Sequence, residues 1–119
     1  MKARAMDTRT TGSKGEALAQ RHYVSQGFEI LETNYRHKRA EVDFIALTAD
    51  EQLLVFVEVK NRTRNDFGEA ETFVSDAQQG RIKEAAEEYI FGINWQKDVR
   101  FDIVSIDSIG KVEVFEDAF

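Results

Sequence analysis

Two carboxylates and an amine, Asp43, Glu58 and Lys60, sit on two short apolar stretches that flank a polar turn. Residues 41–48 (EVDFIALT) and 52–60 (QLLVFVEVK) read as strands joined at Ala49, Asp50 and Glu51. Alternation places Glu41, Asp43, Ile45 and Leu47 on one face of the first strand, and Val42, Phe44 and Ala46 on the other. In the second strand Leu54, Phe56, Glu58 and Lys60 share a face. If Thr48 faces Leu53 across the turn, Asp43 comes opposite Glu58 and Glu41 opposite Lys60. A slip of one residue would undo both pairings.

Opposed residues on antiparallel strands have Cβ atoms roughly 4.5–5.5 Å apart, where like charges destabilise. Two carboxylates at that spacing repel by about 3 kcal/mol at an effective dielectric near 20. A divalent cation turns the repulsion into a ligand set, and Mg²⁺ is commonly held by one or two carboxylates plus substrate phosphate. Lys60, on the same face, then stands where an ammonium can orient an attacking water or neutralise developing phosphate charge. The plainer reading is a solvated strand face carrying Glu and Lys. Two features count against it: the run LLVFV is apolar on both faces, as in a strand covered on both sides, and Asp43 stands across from Glu58.

Asp43 followed by Glu58-Val59-Lys60 resembles the PD-(D/E)XK signature of the restriction-endonuclease-like nucleases. More of the chain is similar to one branch, the YraN-like family of bacterial proteins, itself similar to the archaeal Holliday junction resolvases. The matching pieces are Gly12-Ser13-Lys14-Gly15-Glu16, Asn34-Tyr35-Arg36, Glu41-Val42-Asp43-Phe44-Ile45-Ala46, Phe56-Val57-Glu58-Val59-Lys60-Asn61-Arg62, Phe67-Gly68 and Val99-Arg100-Phe101-Asp102. The chain departs from the pattern at Ala40, where the family usually has Gly, and at Gln78, where a Lys is expected. The resemblance implies that Asp43 and Glu58 hold Mg²⁺ or Mn²⁺ with help from the Val59 carbonyl, that Lys60 positions water, and that Glu16 approaches the metal. Glu41 and Glu16 are second-rank acidic candidates. The implied activity is endonucleolytic hydrolysis of phosphodiester bonds, in DNA that is branched or otherwise structured.

The elements that must position these groups follow from the rest of the chain. At 119 residues it is one domain with a single core, 42% hydrophobic and 32% charged. It has no cysteine, so neither a disulfide framework nor a thiolate metal site, which fits a reducing compartment. With no run near the ~18 apolar residues of a membrane span and no signal-peptide core, the expectation is cytoplasmic and without a membrane partner. The net charge of −6 hides an asymmetry: residues 1–40 hold 8 Lys/Arg against 4 Asp/Glu, and residues 41–119 hold 8 against 18. Phosphate contact requires a local basic patch rather than a basic average.

Residues 1–11 read as a mobile basic arm and residues 12–119 as the single domain. Ser13-x-x-Glu16 reads as a capping box opening a helix that Gly27 stops; capping and metal approach are both open to Glu16. A strand over residues 28–34 leads into Tyr35-Arg36-His37-Lys38-Arg39, a basic turn beside the carboxylates. There Arg36, Lys38 and Arg39 could grip phosphates, and Tyr35 and His37 offer planar faces. Residues 61–73, beginning with Arg62 and Arg64, read as a mobile loop across the mouth of the site, with Arg62 a further phosphate contact. Ser75 caps a second helix to about residue 91 with a buried stripe of Ile82, Ala85 or Ala86, Tyr89 and Ile90. Gln78 on its first turn is a candidate for nucleic-acid contact. Strands at 99–107 and 111–115 close the chain, with an Arg100–Asp102 salt bridge.

The expected fold is therefore α/β and restriction-endonuclease-like, an αβββαββ mixed sheet flanked by helices. The expected partner is nucleic acid, with a homodimer left open. Two rivals remain: a nucleic-acid-binding module of the same fold without turnover, and a protein that binds partners along the edge strand at 111–115.

Overall fold

The computed structural model describes residues 11–62 and 74–119. Residues 1–10 of the expected arm at 1–11 and most of the expected site-mouth loop, including Arg64, Phe67 and Gly68, lie outside the described residues, and Thr11 belongs to the first helix. The order is α1 (Thr11–Ser25), β1 (Glu29–His37), β2 (Ala40–Leu47), β3 (Leu53–Asn61), α2 (Asp76–Ile93), β4 (Asp98–Ile106) and β5 (Val112–Phe115). This is the expected αβββαββ order. The five strands form one mixed sheet in chain order, with β3 and β4 parallel and every other pair antiparallel.

Each face of the sheet carries one helix. Ala19 and Tyr23 of α1 pack on Phe44, Ala46, Val55, Val57, Val59, Val104 and Ile106. Ile82, Ala85 and Ala86 of α2 pack on Ile45, Leu54, Phe56 and Ile103. The LLVFV run of β3 divides its side chains between the two layers, which is why it reads as continuously apolar. Both helices end in the same way. Gly27 (φ 96°) and Asn94 (φ 57°) adopt the left-handed conformation, and the next N–H in each case reaches back to Tyr23 or Ile90. At the other end of α2, Ser75 Oγ accepts from the Gln78 N–H at 3.1 Å, as expected for its N-cap. The helix α1 starts at Thr11, so Ser13 lies inside it. Ser13 is thus not at the N-cap position that the expected capping box requires.

The strand β1 also departs from expectation. Its pairing with β2 continues to His37↔Ala40, leaving only Lys38 and Arg39 in the turn. Lys38 there takes a φ of 57°. Tyr35 is thereby drawn into the sheet, where its ring meets Tyr89 edge-on at 5.1 Å. Its hydroxyl pKa is raised by burial first. Tyr35 is a packing residue rather than a stacking platform.

Candidate functional site

The β2–β3 register follows the turn. Thr48 N–H donates to the Leu53 carbonyl at 3.1 Å, and the ladder runs Leu47↔Leu54, Ala46↔Val55, Ile45↔Phe56 and Phe44↔Val57. One further step would oppose Asp43 to Glu58, and the ladder stops there. The Val59 N–H, next in the alternation to face β2, donates instead to Asp43 Oδ2 at 2.6 Å. The Asp43 side chain has taken the place of a ladder carbonyl.

The cause lies in β1. Asn34 has φ 51°, between the pairs Thr33↔Phe44 and Tyr35↔Val42. Alternation in β2 slips at this point: Ala40 and Val42 join the α2 layer with Ile45, whereas Phe44 and Ala46 join the α1 layer. This corrects the strict alternation expected for residues 41–47, in which Val42 shared a face with Phe44. Asp43 sits at the slip, where groups from both layers reach it.

Glu58 stands beside Asp43. Its side chain is 12% exposed, and Lys60 Nζ lies 3.7 Å from its Oε2. The Asp43 carboxyl is pushed up to about 9, by burial first and then by the charge of Glu58; Glu16 adds to the push and the Val59 N–H opposes it. Burial also raises the Glu58 carboxyl, against the pull of Lys60 and Gln78. Two buried acids that resist ionising together make a ready seat for a hard cation. Among the described residues no three His, Asp or Glu side chains form a metal-holding group by themselves. The donors present therefore fit an ion held by Asp43 and Glu58 with remaining positions for carbonyl, water or substrate oxygens, as is usual for Mg²⁺. The Val59 carbonyl lies on the same β2-facing edge as its N–H, within the set of elements that frames Asp43.

The other expected residues divide into those the fold gathers and those it does not. Glu16 reaches the site from α1, where its Oε1 accepts from Asn34 Nδ2 at 3.3 Å. Gly15 allows that approach, since a Cβ there would stand 2.3 Å from Asn61 Oδ1 at the end of β3. Glu41 lines the cleft but is paired with Arg36 at 3.5 Å, and Lys60 is on Glu58 rather than on Glu41. Gln78 lines the cleft and turns inward, its Nε2 donating to Glu58 Oε2 at 3.1 Å. Lys38 in the β1–β2 turn is bound to Glu84 of α2 at 3.5 Å. Arg62 is turned away, 11% exposed, with Glu113 at 3.8 Å; it lines a separate hollow with Lys14, Leu18 and Ser108. Only Arg39 of the four expected phosphate-gripping cations both lines the cleft and lacks a carboxylate partner among the described residues.

The cleft has a volume of about 190 Å³ and is lined by Arg39, Ala40, Glu41, Asp43, Glu58, Gln78, Arg81 and Ile82. Arg81 is the residue the sequence reading missed. It follows Gln78 by three positions and so shares its helix face, a signal that becomes readable only once that face is known to meet the cleft.

A family model described as "Uncharacterised protein family UPF0102" matches residues 15–106. The chain belongs to this family. A UPF0102 protein of Flavobacterium psychrophilum is 39% identical over 111 residues, covering 91% of this chain and 92% of the relative. That of Dictyoglomus turgidum is 41% identical over 110 residues, covering 92% of each, and that of Thermodesulfovibrio yellowstonii is 37% identical over 108 residues, covering 91% and 94%. The UPF0102 match runs from Gly15 through β4 and so includes Glu16, Asp43, Glu58, Lys60, Gln78 and Arg81. Among solved structures, Pyrococcus furiosus SfsA in complex with Ca²⁺ is 10% identical with a TM-score of 0.29, covering 94% of this chain and 64% of that one; a likeness this slight carries no argument. No helix among the described residues is long and apolar enough to cross a membrane.

Proposed function

We propose that this UPF0102 protein is a cytoplasmic Mg²⁺- or Mn²⁺-dependent endonuclease that hydrolyses phosphodiester bonds in DNA, with a restriction-endonuclease-like core. The observation that carries the reading is the convergence of Asp43, Glu58 and Lys60 at one end of β3, with both acids buried and raised. Asp43 and Glu58 would hold the ion, with the Val59 carbonyl as a further ligand and Glu16 behind Asp43. A bound divalent cation supplies Lewis-acid stabilisation of phosphoryl charge. Lys60 is placed to orient water, because its ammonium is fixed by Glu58 at 3.7 Å and is 24% exposed. Gln78 holds the second carboxylate in position without neutralising it. The similarity of the YraN-like family to archaeal Holliday junction resolvases supports branched DNA as the substrate class, and a homodimer would offer a junction two such sites.

The test is incubation with four-way junction, flap and plain duplex DNA, with and without Mn²⁺. Metal-dependent cleavage is expected, and Asp43→Asn or Lys60→Ala should each lower the rate by about 10²-fold or more. One observation favours a second reading, a binding module without turnover: Glu58 is already engaged by both Lys60 and Gln78. DNA binding that is unaccompanied by cleavage under any metal would select it.

A further inference from the structure

We propose that Arg39 and Arg81 form a second phosphate subsite beside the carboxylate cleft, taking the phosphodiester next along the strand from the one at Asp43 and Glu58. The inference rests on the nuclease reading and adds how the substrate chain is held. Arg39, Ala40 and Arg81 line both the carboxylate cleft and an adjoining hollow of about 200 Å³, whose other walls are His37, Lys38 and Glu84. The two hollows therefore adjoin, with Arg39, Ala40 and Arg81 as their common wall.

Among the cations that line these two hollows, Lys38, Arg39 and Arg81, charge pairing leaves the two arginines free of a carboxylate. Arg36 is held by Glu41, Lys38 by Glu84, Arg62 by Glu113 and Arg100 by Asp102. Arg39 and Arg81 have no carboxylate partner among the described residues, and both are exposed. In the adjoining hollow three cations face one carboxylate, leaving two positive charges in a chain whose net charge is −6. An unpaired guanidinium presents a planar fork that matches phosphate.

The placement also suits a polymer. Gln78 touches Glu58, and Arg81 follows it by three residues, about 4.5 Å along the helix axis, so a cation stands one short step along α2 from the carboxylate seat. Buried Ile82 anchors that turn to the sheet. A substrate with one phosphodiester would miss this contact, so the subsite selects a polynucleotide over a small diester.

The test measures binding of a labelled DNA junction by fluorescence anisotropy at several salt concentrations, with Ca²⁺ as the hard cation. Arg81→Ala and Arg39→Ala should each weaken binding several-fold and flatten the salt dependence by about 0.9 in log K against log salt. Arg81→Lys should keep the slope and recover only part of the affinity. Lys97→Ala, at the opposite end of the β2–β3 hairpin beside Glu51, should change neither. An unchanged slope in Arg81→Ala, in a protein whose parent cleaves the junction with Mn²⁺, overturns the subsite and leaves the nuclease standing. A parent that neither binds nor cleaves any DNA overturns both.

Discussion

Asp43 carries a cost when ionised that either a retained proton or a bound cation offsets. Its carboxyl is raised from 3.8 to about 9, chiefly by burial, so the folded chain keeps a proton that the unfolded chain releases. Stability from this group is fully present below the ordinary value and is lost as pH rises through about 9. Without metal, the melting temperature should therefore fall from about pH 5 to about pH 9. Asp43→Asn should flatten that fall, because the amide oxygen can still accept from Val59 N–H and carries no charge. Added Mn²⁺ should raise the melting temperature of the parent protein, increasingly with pH, and leave Asp43→Asn unmoved. Differential scanning fluorimetry across the pH series checks both, and parallel curves for the two proteins would contradict the account.

At the scale of elements, α2 is built to present its first turns. Ser75 caps it, Ile82, Ala85 and Ala86 seat it, and Gly80 sits exposed between them without a neighbour. Gly80→Ala should stabilise the protein by about 1 kcal/mol, read as a rise of about 4 °C in melting temperature. Strand order, strand faces in β3 and the β2–β3 register were legible because alternating apolar residues meet a short polar turn, and the Ser75 cap because its side chain acts locally. The slip at Asp43 was not legible. It depends on Asn34 taking a left-handed conformation in a neighbouring strand, and an Asn in a strand announces no such thing. The inward turn of Gln78 and the role of Arg81 were hidden for a related reason, since a polar residue on a helix surface has the same pattern whether it faces water or a cleft. The Ser13 box failed because its pattern is compatible with a helix that begins earlier.

Across the whole molecule, a second buried charged group ties the layers together and is separate from the chemistry. Asp102 is fully buried and accepts from Tyr23 Oη at 2.6 Å, from Arg100 Nε and Nη2 at 2.8 and 2.9 Å, and from the Asp117 N–H at 3.0 Å. One carboxylate thus joins α1, β4 and the segment after β5, and the Arg100–Asp102 pairing expected from sequence is formed. The Tyr23 hydroxyl is raised by burial and by Asp102. Tyr23→Phe should cost about 1.5–3 kcal/mol in chemical denaturation while leaving metal-dependent cleavage by the folded protein intact. A loss of cleavage at unchanged stability would instead put Tyr23 in the site.

The left-handed residue in β1 has a mechanical consequence. Position 43 is held between paired residues, Thr33↔Phe44 on one side and Tyr35↔Val42 on the other, with a further irregularity of β1 between Ile30 and Glu32. A pleat fault trapped between two locked segments cannot migrate, so the acid it exposes is mounted as stiffly as any core side chain. The neighbouring hairpin bend can then vary in length or composition among descendants of this chain without detuning the cation seat.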